Sequence, residues 1–336
     1  MAGIYRHSTS PRCRGNAAPG AFAGFRVIVD YDDRELGRGE YLPRTMQRAT
    51  QAIRMLVVDL DGTLLDARGV VSAKNVDAVA RVEAAGIEVV VATGRSWLES
   101  RGALEAIGHR GVFIGAGGAS LHDSTSGRVL RRRTVPVDLV EAIATSVIDH
   151  GHLAHLLQDP NETGTDYVLI GDAEVDRASA WWFRTHPVKV SRHASIDTAR
   201  PIGATMRVGT IAVGTELAKL AAALRGDLGN RVMLQHWSAL TETEVLGSPT
   251  HLLECFAPDT NKWTMTLELC ALRGVDPREV AAVGDGLNDL EMIRRAALGI
   301  AMGNADPRIV EVADARVGHH DADGFAEAVE LVLTRA

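Results

Sequence analysis

The stretch IRMLVVDLDGTLLD (residues 53–66) decides the fold. Its first half is a short continuous apolar run, the pattern of a parallel strand buried on both faces. Its second half places Asp59 and Asp61 two residues apart where that strand ends. Residues two apart on a strand share a face, and in open α/β sheets ligands bind at the carboxyl edge. Two adjacent carboxylates repel when both are ionised. The pair therefore implies a bound cation, a shared proton, or one acid with a raised pKa.

Working outward, SAKNVDAVARVEAAG (72–86) predicts a helix capped by Ser72 and stopped by Gly86, with Val76, Val79, Ala80 and Val82 on one face. IEVVVATG (87–94) reads as a second buried strand, SWLESRGALEAIG (96–108) as a helix and GVFIGAG (111–117) as a third strand. This alternation predicts a Rossmann-like, doubly wound parallel sheet with right-handed crossovers. The same grammar returns in a helix at 263–274, a strand and loop EVAAVGDG (279–286), a helix at 288–297 and a strand LGIAMG (298–303). Between the halves the texture changes. Strands are expected at 128–137, 166–170, 205–214 and 231–237, and helices at 138–151 and 215–229. Alternating apolar and polar residues there favour a sheet covered on one face. The expected organisation is an α/β domain split into 53–121 and 254–336, with an α+β domain, 122–253, inserted in it.

Residues 1–52 stand apart. Rich in Gly, Ala, Arg and Pro, with no helical or strand period, they are expected to form a disordered N-terminal extension, with Met46 and Met55 as later candidate starts. They hold no apolar h-region of a secretory signal. The whole chain, 336 residues with 46% apolar and 24% charged, has ordinary globular proportions, which excludes global disorder. No apolar run reaches the 18 or more residues that span a bilayer. A net charge of −7 argues against non-specific nucleic-acid binding. Three widely spaced cysteines form neither a CxxC nor a zinc pattern, which points to a reducing, cytoplasmic setting.

Three more segments carry chemistry. Thr93-Gly94-Arg95 ends the second strand before a helix, where a hydroxyl and free N–H groups make an anion-binding corner, or an ordinary helix cap. Lys262, one of only four lysines, directly precedes a helix. Gly284-Asp285-Gly286-Leu287-Asn288-Asp289 gathers two acids and an amide between glycines, suiting a hard cation held by oxygens, or a capped turn. Together the four segments supply a carboxylate nucleophile, a second carboxylate, a hydroxyl, an ammonium and a metal site. That set fits phosphoryl transfer, in which Mg²⁺, a lysine and hydrogen-bond donors offset the roughly two negative charges of the phosphate.

DLDGTLLD (59–66), ATGR (92–95), Lys262 and GDGLND (284–289) resemble the four motifs of the haloacid dehalogenase (HAD) superfamily, and residues 296–329 resemble the end of its Cof-type hydrolases. The resemblance implies a C2-type cap in the insertion. It also implies that Asp59 attacks phosphorus to form an aspartyl-phosphate, while Asp61 first protonates the leaving oxygen and then deprotonates the hydrolytic water. It implies Mg²⁺ held by the Asp59 side chain, the Asp61 carbonyl and Asp285, with Asp289 as ligand or one step removed. Thr93, Gly94, Lys262 and Asn288 would hold the phosphate. The expected activity is a Mg²⁺-dependent phosphatase acting on a small phosphorylated metabolite, a sugar phosphate or a phosphorylated cofactor. A phosphomutase and a catalytically silent metabolite-binding protein are the alternatives.

Two departures stand out. Trp263 follows Lys262 where relatives carry Gly, and packing is the expected role of its indole. Gly117-Gly118-Ala119 replaces Asn-Gly-Ala, removing a polar substrate contact. Gly115–Gly118 lacks the full dinucleotide-binding pattern. His152 with His155, and His319 with His320, come with no Cys or third ligand of a zinc pattern and read as satisfied or exposed. Trp181-Trp182-Phe183 suits burial in the inserted domain or a lid over substrate. Arg131-Arg132-Arg133 reads as a solvated strand face.

Overall fold

The computed structural model describes residues 51–238 and 250–336, so the expected N-terminal extension lies, but for its last two residues, outside the described residues. An eight-stranded sheet is centred on β1 (Met55–Val58). On one side of β1 lie β2 (Glu88–Ala92), β3 (Val112–Gly115), β4 (Ser120–Asp123) and β5 (Val129–Arg132). On the other lie β12 (Val280–Gly284), β13 (Leu298–Ala301) and β14 (Ala315–Arg316). The six strands from β14 to β3 are parallel, while β4 and β5 add antiparallel at the edge.

Helices cover both faces. Leu56, Val58, Val89 and Val91 pack on α1 (Ala73–Ala84) and α10 (Gly324–Leu333), joined by Phe325 and Val329. Met55, Val57, Val90 and Ala92 pack against α7 (Lys262–Arg273) and α8 (Leu290–Arg295) through Met265, Leu269, Met292 and Ile293. Every β1 side chain is fully buried, and each contributes roughly 1.5–3 kcal/mol. Ser72 caps α1 as expected, accepting from the Asn75 N–H at 3.1 Å.

A second, six-stranded sheet is built from the chain between β5 and β12. Its strands are β6 (Ala154–Gln158), β7 (Tyr167–Ile170), β8 (Val190–His193), β9 (Thr205–Val213), β10 (Met233–Ser238) and β11 (Thr250–Phe256), in the order β10-β11-β9-β6-β7-β8. All its pairings are antiparallel except β7–β8. One face packs on α3 (Val137–Asp149) and α6 (Gly214–Leu228). Short helices α4 (Pro160–Thr163) and α5 (Arg177–Thr185) lie in the β6–β7 and β7–β8 connections, and α9 (Pro307–Val312) lies between β13 and β14. No helix among the described residues is long and apolar enough to cross a membrane.

Three expectations need correction. The boundaries drawn at 121/122 and 253/254 cut through β4 and β11, because β4 and β5 extend the first sheet's edge whereas β11 belongs to the second sheet. The second sheet is covered on both faces at its centre: β6 and β7 are buried along their whole length. Leu157, Tyr167 and Leu169 pack with Ala116, Ala119 and Phe256, opposite the α3–α6 layer. With both faces covered, AHLLQ (154–158) shows no alternation, so its pattern does not announce a strand. Arg132 and Arg133 are not a solvated face. Arg132 pairs with Asp159 at 2.8 Å and with Glu162, and Arg133 pairs with Glu268 at 2.6 Å.

Candidate active site

β12, β1 and β2 are neighbours, so their carboxyl ends lie side by side about 5 Å apart. That alone brings together Asp59 after β1, Thr93 after β2 and Asp285 after β12. Lys262 arrives from α7, whose first turn is fixed by Asn261: its side chain accepts from the Thr264 N–H, and the Thr264 hydroxyl faces the Asn261 N–H. The loop at Gly118 (φ +103°) makes room for this turn, since a Cβ there would lie 2.2 Å from the Asn261 carbonyl oxygen. Gly117, which stands where Asn is expected, has φ +66°, and a Cβ there would lie 3.0 Å from the Phe256 ring.

The Lys262 ammonium is completely buried. It donates to Asp59 Oδ1 at 2.5 Å and to Asp289 Oδ1 at 2.6 Å. The other Asp289 oxygen accepts from the Asp285 and Gly286 N–H groups, both at 3.0 Å. Asp285 Oδ1 accepts from the Thr63 hydroxyl at 2.8 Å. Asn304 Nδ2 donates to the Gly62 carbonyl at 2.7 Å and to Asp285 Oδ2 at 3.3 Å. Gly62, at φ +76°, passes so close to Asp285 that a Cβ would meet Oδ2 at 2.4 Å. Thr93 is buried and its hydroxyl accepts from the Arg95 N–H at 3.2 Å. Asn288 stands beside Gly94, its Nδ2 being 3.9 Å from where a Gly94 Cβ would lie.

Electrostatics follows from burial. Desolvation pushes the Asp59 carboxyl well above its usual range, Asp289 and Asp285 add to that, and Lys262 partly offsets it. Burial, and then Asp289, push Asp285 up to about 7. Burial alone would lower the Lys262 pKa, but Asp289 and Asp59 outweigh it and raise the value. Oxygens of Asp59, Asp285 and Asp289 lie within 4.8 Å of one another. The ammonium bonds Asp59 and Asp289 with Asp285 beside them, so full ionisation of the three acids would leave an excess of negative charge that fits a divalent cation held by oxygen.

Of the eight site residues read from the sequence, Asp59, Asp285, Asp289 and Lys262 form one hydrogen-bonded array, with Thr93, Gly94 and Asn288 at neighbouring strand ends. The Asp61 side chain stands apart from the array. It takes a two-pronged pair from Arg95, whose Nε donates to Oδ2 at 2.8 Å while a terminal nitrogen donates to Oδ1. Sequence reasoning did not give Arg95 this role, nor did it find Asn304, or Glu99 of α2 (Trp97–Ala106), one of whose oxygens accepts from the Ser96 N–H at 2.6 Å while the other accepts from the Tyr167 hydroxyl at 2.7 Å and the Trp182 N–H at 2.6 Å. Trp263 is buried among Met265, Leu290 and their neighbours, a packing residue as expected. His320 Nδ1 meets the Leu65 carbonyl at 2.8 Å, as a satisfied histidine should, and its ring lies with His319 and the adjacent Asp321 within 4.8 Å.

A family model described as haloacid dehalogenase-like hydrolase matches residues 56–329, and the chain belongs to that family of hydrolases. It is 25% identical over 285 residues to a 5-amino-6-(5-phospho-D-ribitylamino)uracil phosphatase of Bacillus subtilis, covering 85% of this chain and 98% of that one. It is 28% identical over 257 residues to an HMP-PP phosphatase of Escherichia coli O157:H7, covering 76% and 86%. Among solved structures it resembles a haloacid dehalogenase-like hydrolase from Bacteroides thetaiotaomicron, with a TM-score of 0.69 at 22% identity over 83% of this chain and 99% of that one. At that identity the likeness shows the fold.

Proposed function

We propose that this protein is a Mg²⁺-dependent phosphatase that hydrolyses a small phosphorylated metabolite through an aspartyl-phosphate on Asp59. The observation that carries the reading is the buried Asp59–Lys262–Asp289 array, with Asp285 beside it, at the junction of β12, β1 and β2. Named phosphatases among the relatives support it.

In the first half-reaction an Asp59 oxygen bonds to phosphorus as the ester P–O bond breaks, and Asp61, released from its Arg95 pair and protonated, gives its proton to the departing alcohol oxygen. In the second, Asp61 takes a proton from water, whose oxygen attacks phosphorus and frees the Asp59 carboxylate and inorganic phosphate. Thr93, the Gly94 N–H, Lys262 and Asn288 hold the phosphoryl oxygens as charge builds on them. Asp59, Asp285 and Asp289, with the Asp61 carbonyl, would hold Mg²⁺, which when bound shields the nucleophile from the anionic substrate. The segment carrying the second sheet is taken to act as a cap that excludes water and selects the leaving group. The buried free thiols Cys255 and Cys270 agree with a reducing cytoplasm.

The test is phosphate release across a panel of sugar phosphates, phosphorylated pyrimidines and phosphorylated cofactors, with Mg²⁺ or with chelator. Release should require Mg²⁺ and should fall by about 10⁴-fold or more in Asp59→Asn. Near-normal turnover by that variant would remove Asp59 from the chemistry. Isomerisation of a sugar phosphate without net release would favour a mutase.

A further inference from the structure

Asn304 follows β13, and its half-buried side-chain amide joins three segments around the candidate metal ligands. Its Nδ2 donates to the Gly62 carbonyl at 2.7 Å and to Asp285 Oδ2 at 3.3 Å. Its Oδ1 accepts from the His320 N–H at 3.1 Å. Gly62 offers a carbonyl at this point and His320 an N–H, so the amide has one orientation. Neither a carboxylate nor an aliphatic side chain could fill both roles. The turn at His320 is itself anchored to the loop after β1. His320 Nδ1 meets the Leu65 carbonyl at 2.8 Å, and Asp321 Oδ1 accepts from the Ala67 N–H at 2.8 Å. The backbone beyond Asn304 runs along the site as well, the Asp306 N–H donating to the Asp285 carbonyl at 3.0 Å.

Two segments expected to carry metal ligands therefore meet on one amide nitrogen. Gly62 directly follows Asp61, whose carbonyl is expected to hold Mg²⁺, and Asp285 is expected to supply a carboxylate oxygen. Asp285 is held at both oxygens, because the Thr63 hydroxyl donates to Oδ1 at 2.8 Å. One donor on each oxygen stops the carboxylate from turning about its Cβ–Cγ bond, while each oxygen keeps a lone pair for a cation. Among the described residues the Asn304 amide bonds Gly62, Asp285 and His320, not Asp59 or Lys262, so its task is separate from the nucleophile's. Cations differ in what they ask of such a site. Mg²⁺ demands near-ideal octahedral geometry with short bonds, whereas Ca²⁺ accepts looser and larger arrangements. A carboxylate that cannot turn suits the stricter ion.

We propose that Asn304 is a positioning residue that, opposite Thr63, locks the Asp285 carboxylate and the Gly62 peptide in one geometry and so tunes the site to Mg²⁺ over larger divalent cations. The inference rests on the reading that these acids hold Mg²⁺, and it goes further by naming what sets the choice of ion. Asn304 acts through Asp285 and Gly62, as residues behind metal ligands do. Removing its amide should therefore weaken Mg²⁺ more than Ca²⁺. A general loosening of the fold would weaken both alike.

Titration calorimetry measures Mg²⁺ and Ca²⁺ binding to the chelator-stripped full chain, without substrate, in wild type, Asn304→Ala and Thr63→Val. In Asn304→Ala the Kd for Mg²⁺ should rise about tenfold and that for Ca²⁺ about twofold or less. Thr63→Val removes the donor to the other Asp285 oxygen and should show the same bias, which keeps the proposal testable if Asn304→Ala does not fold. Equal losses of the two ions would make Asn304 a merely structural residue and overturn the proposal, as would an unchanged Mg²⁺ affinity. A wild type that binds neither ion would refute the proposal together with the metal reading. Mg²⁺ binding with the biased loss, but without phosphate release from any ester, would uphold the proposal and count against the phosphatase reading alone.

Discussion

The two sheets bury polar groups by opposite rules. At the carboxyl edge of the first, Asp59, Asp285 and Asp289 crowd around one ammonium, and burial drives Asp59 and Asp285 above their usual range. In the second, two buried histidines are neutral and the buried arginine is paired. His155 on β6 and His236 on β10 are each held down to about 4 by burial, and Arg207 is matched by Glu254. The first arrangement fits a cation held by oxygen. The second gathers no such cluster of like charges among the described residues, and it serves to hold shape. Unbalanced burial marks the chemistry, and balanced burial marks the support.

Breaking each side of the comparison should have a different signature. The larger effect is expected in the first sheet. Lys262→Met leaves buried carboxylates without their ammonium, and in chelator at pH 8 the unfolding free energy should drop by about 3–5 kcal/mol. Denaturant titration measures it, and added Mg²⁺ should restore part of the loss by binding the folded state. A variant as stable as wild type would mean that the acids are already neutral.

A smaller effect, with the opposite dependence on charge, belongs to the second sheet. His155 is 8% exposed, and its folded pKa of about 4 lies below the ordinary value of 6.5, so the unfolded chain binds the extra proton. Its contribution is fully present above pH 6.5 and is lost as pH falls from 6.5 toward 4, by up to ~3 kcal/mol. His155→Gln should flatten the stability profile across that window. An equally steep profile in the variant would assign the loss to other groups.

The same contrast separates what the sequence shows from what it hides. Asp59, Thr93 and Asp285 end strands that pair directly, so short apolar runs were enough to bring them together. Lys262 needed only a helix start beside them. Glu99 and Arg95 were hidden because their partners are remote: Trp182 is 83 positions from Glu99, and Asp61 is 34 from Arg95. The local pattern Ser96-x-x-Glu99 accounts for one Glu99 oxygen and gives no hint of the other. Likewise β6 escaped notice because covering on both faces erased the alternation that announces a strand, and Arg132 and Arg133 looked solvated because their acidic partners come from other elements.

The central claim is that Asp59 carries the phosphoryl group. Rapid quench of a turnover with acetyl phosphate and Mg²⁺, followed by borohydride, reduces an acyl phosphate to an alcohol, and peptide mass spectrometry locates it. The account predicts homoserine at position 59, dependent on Mg²⁺. Turnover that leaves Asp59 unmodified while another residue is reduced, or that proceeds in Asp59→Asn, would contradict it.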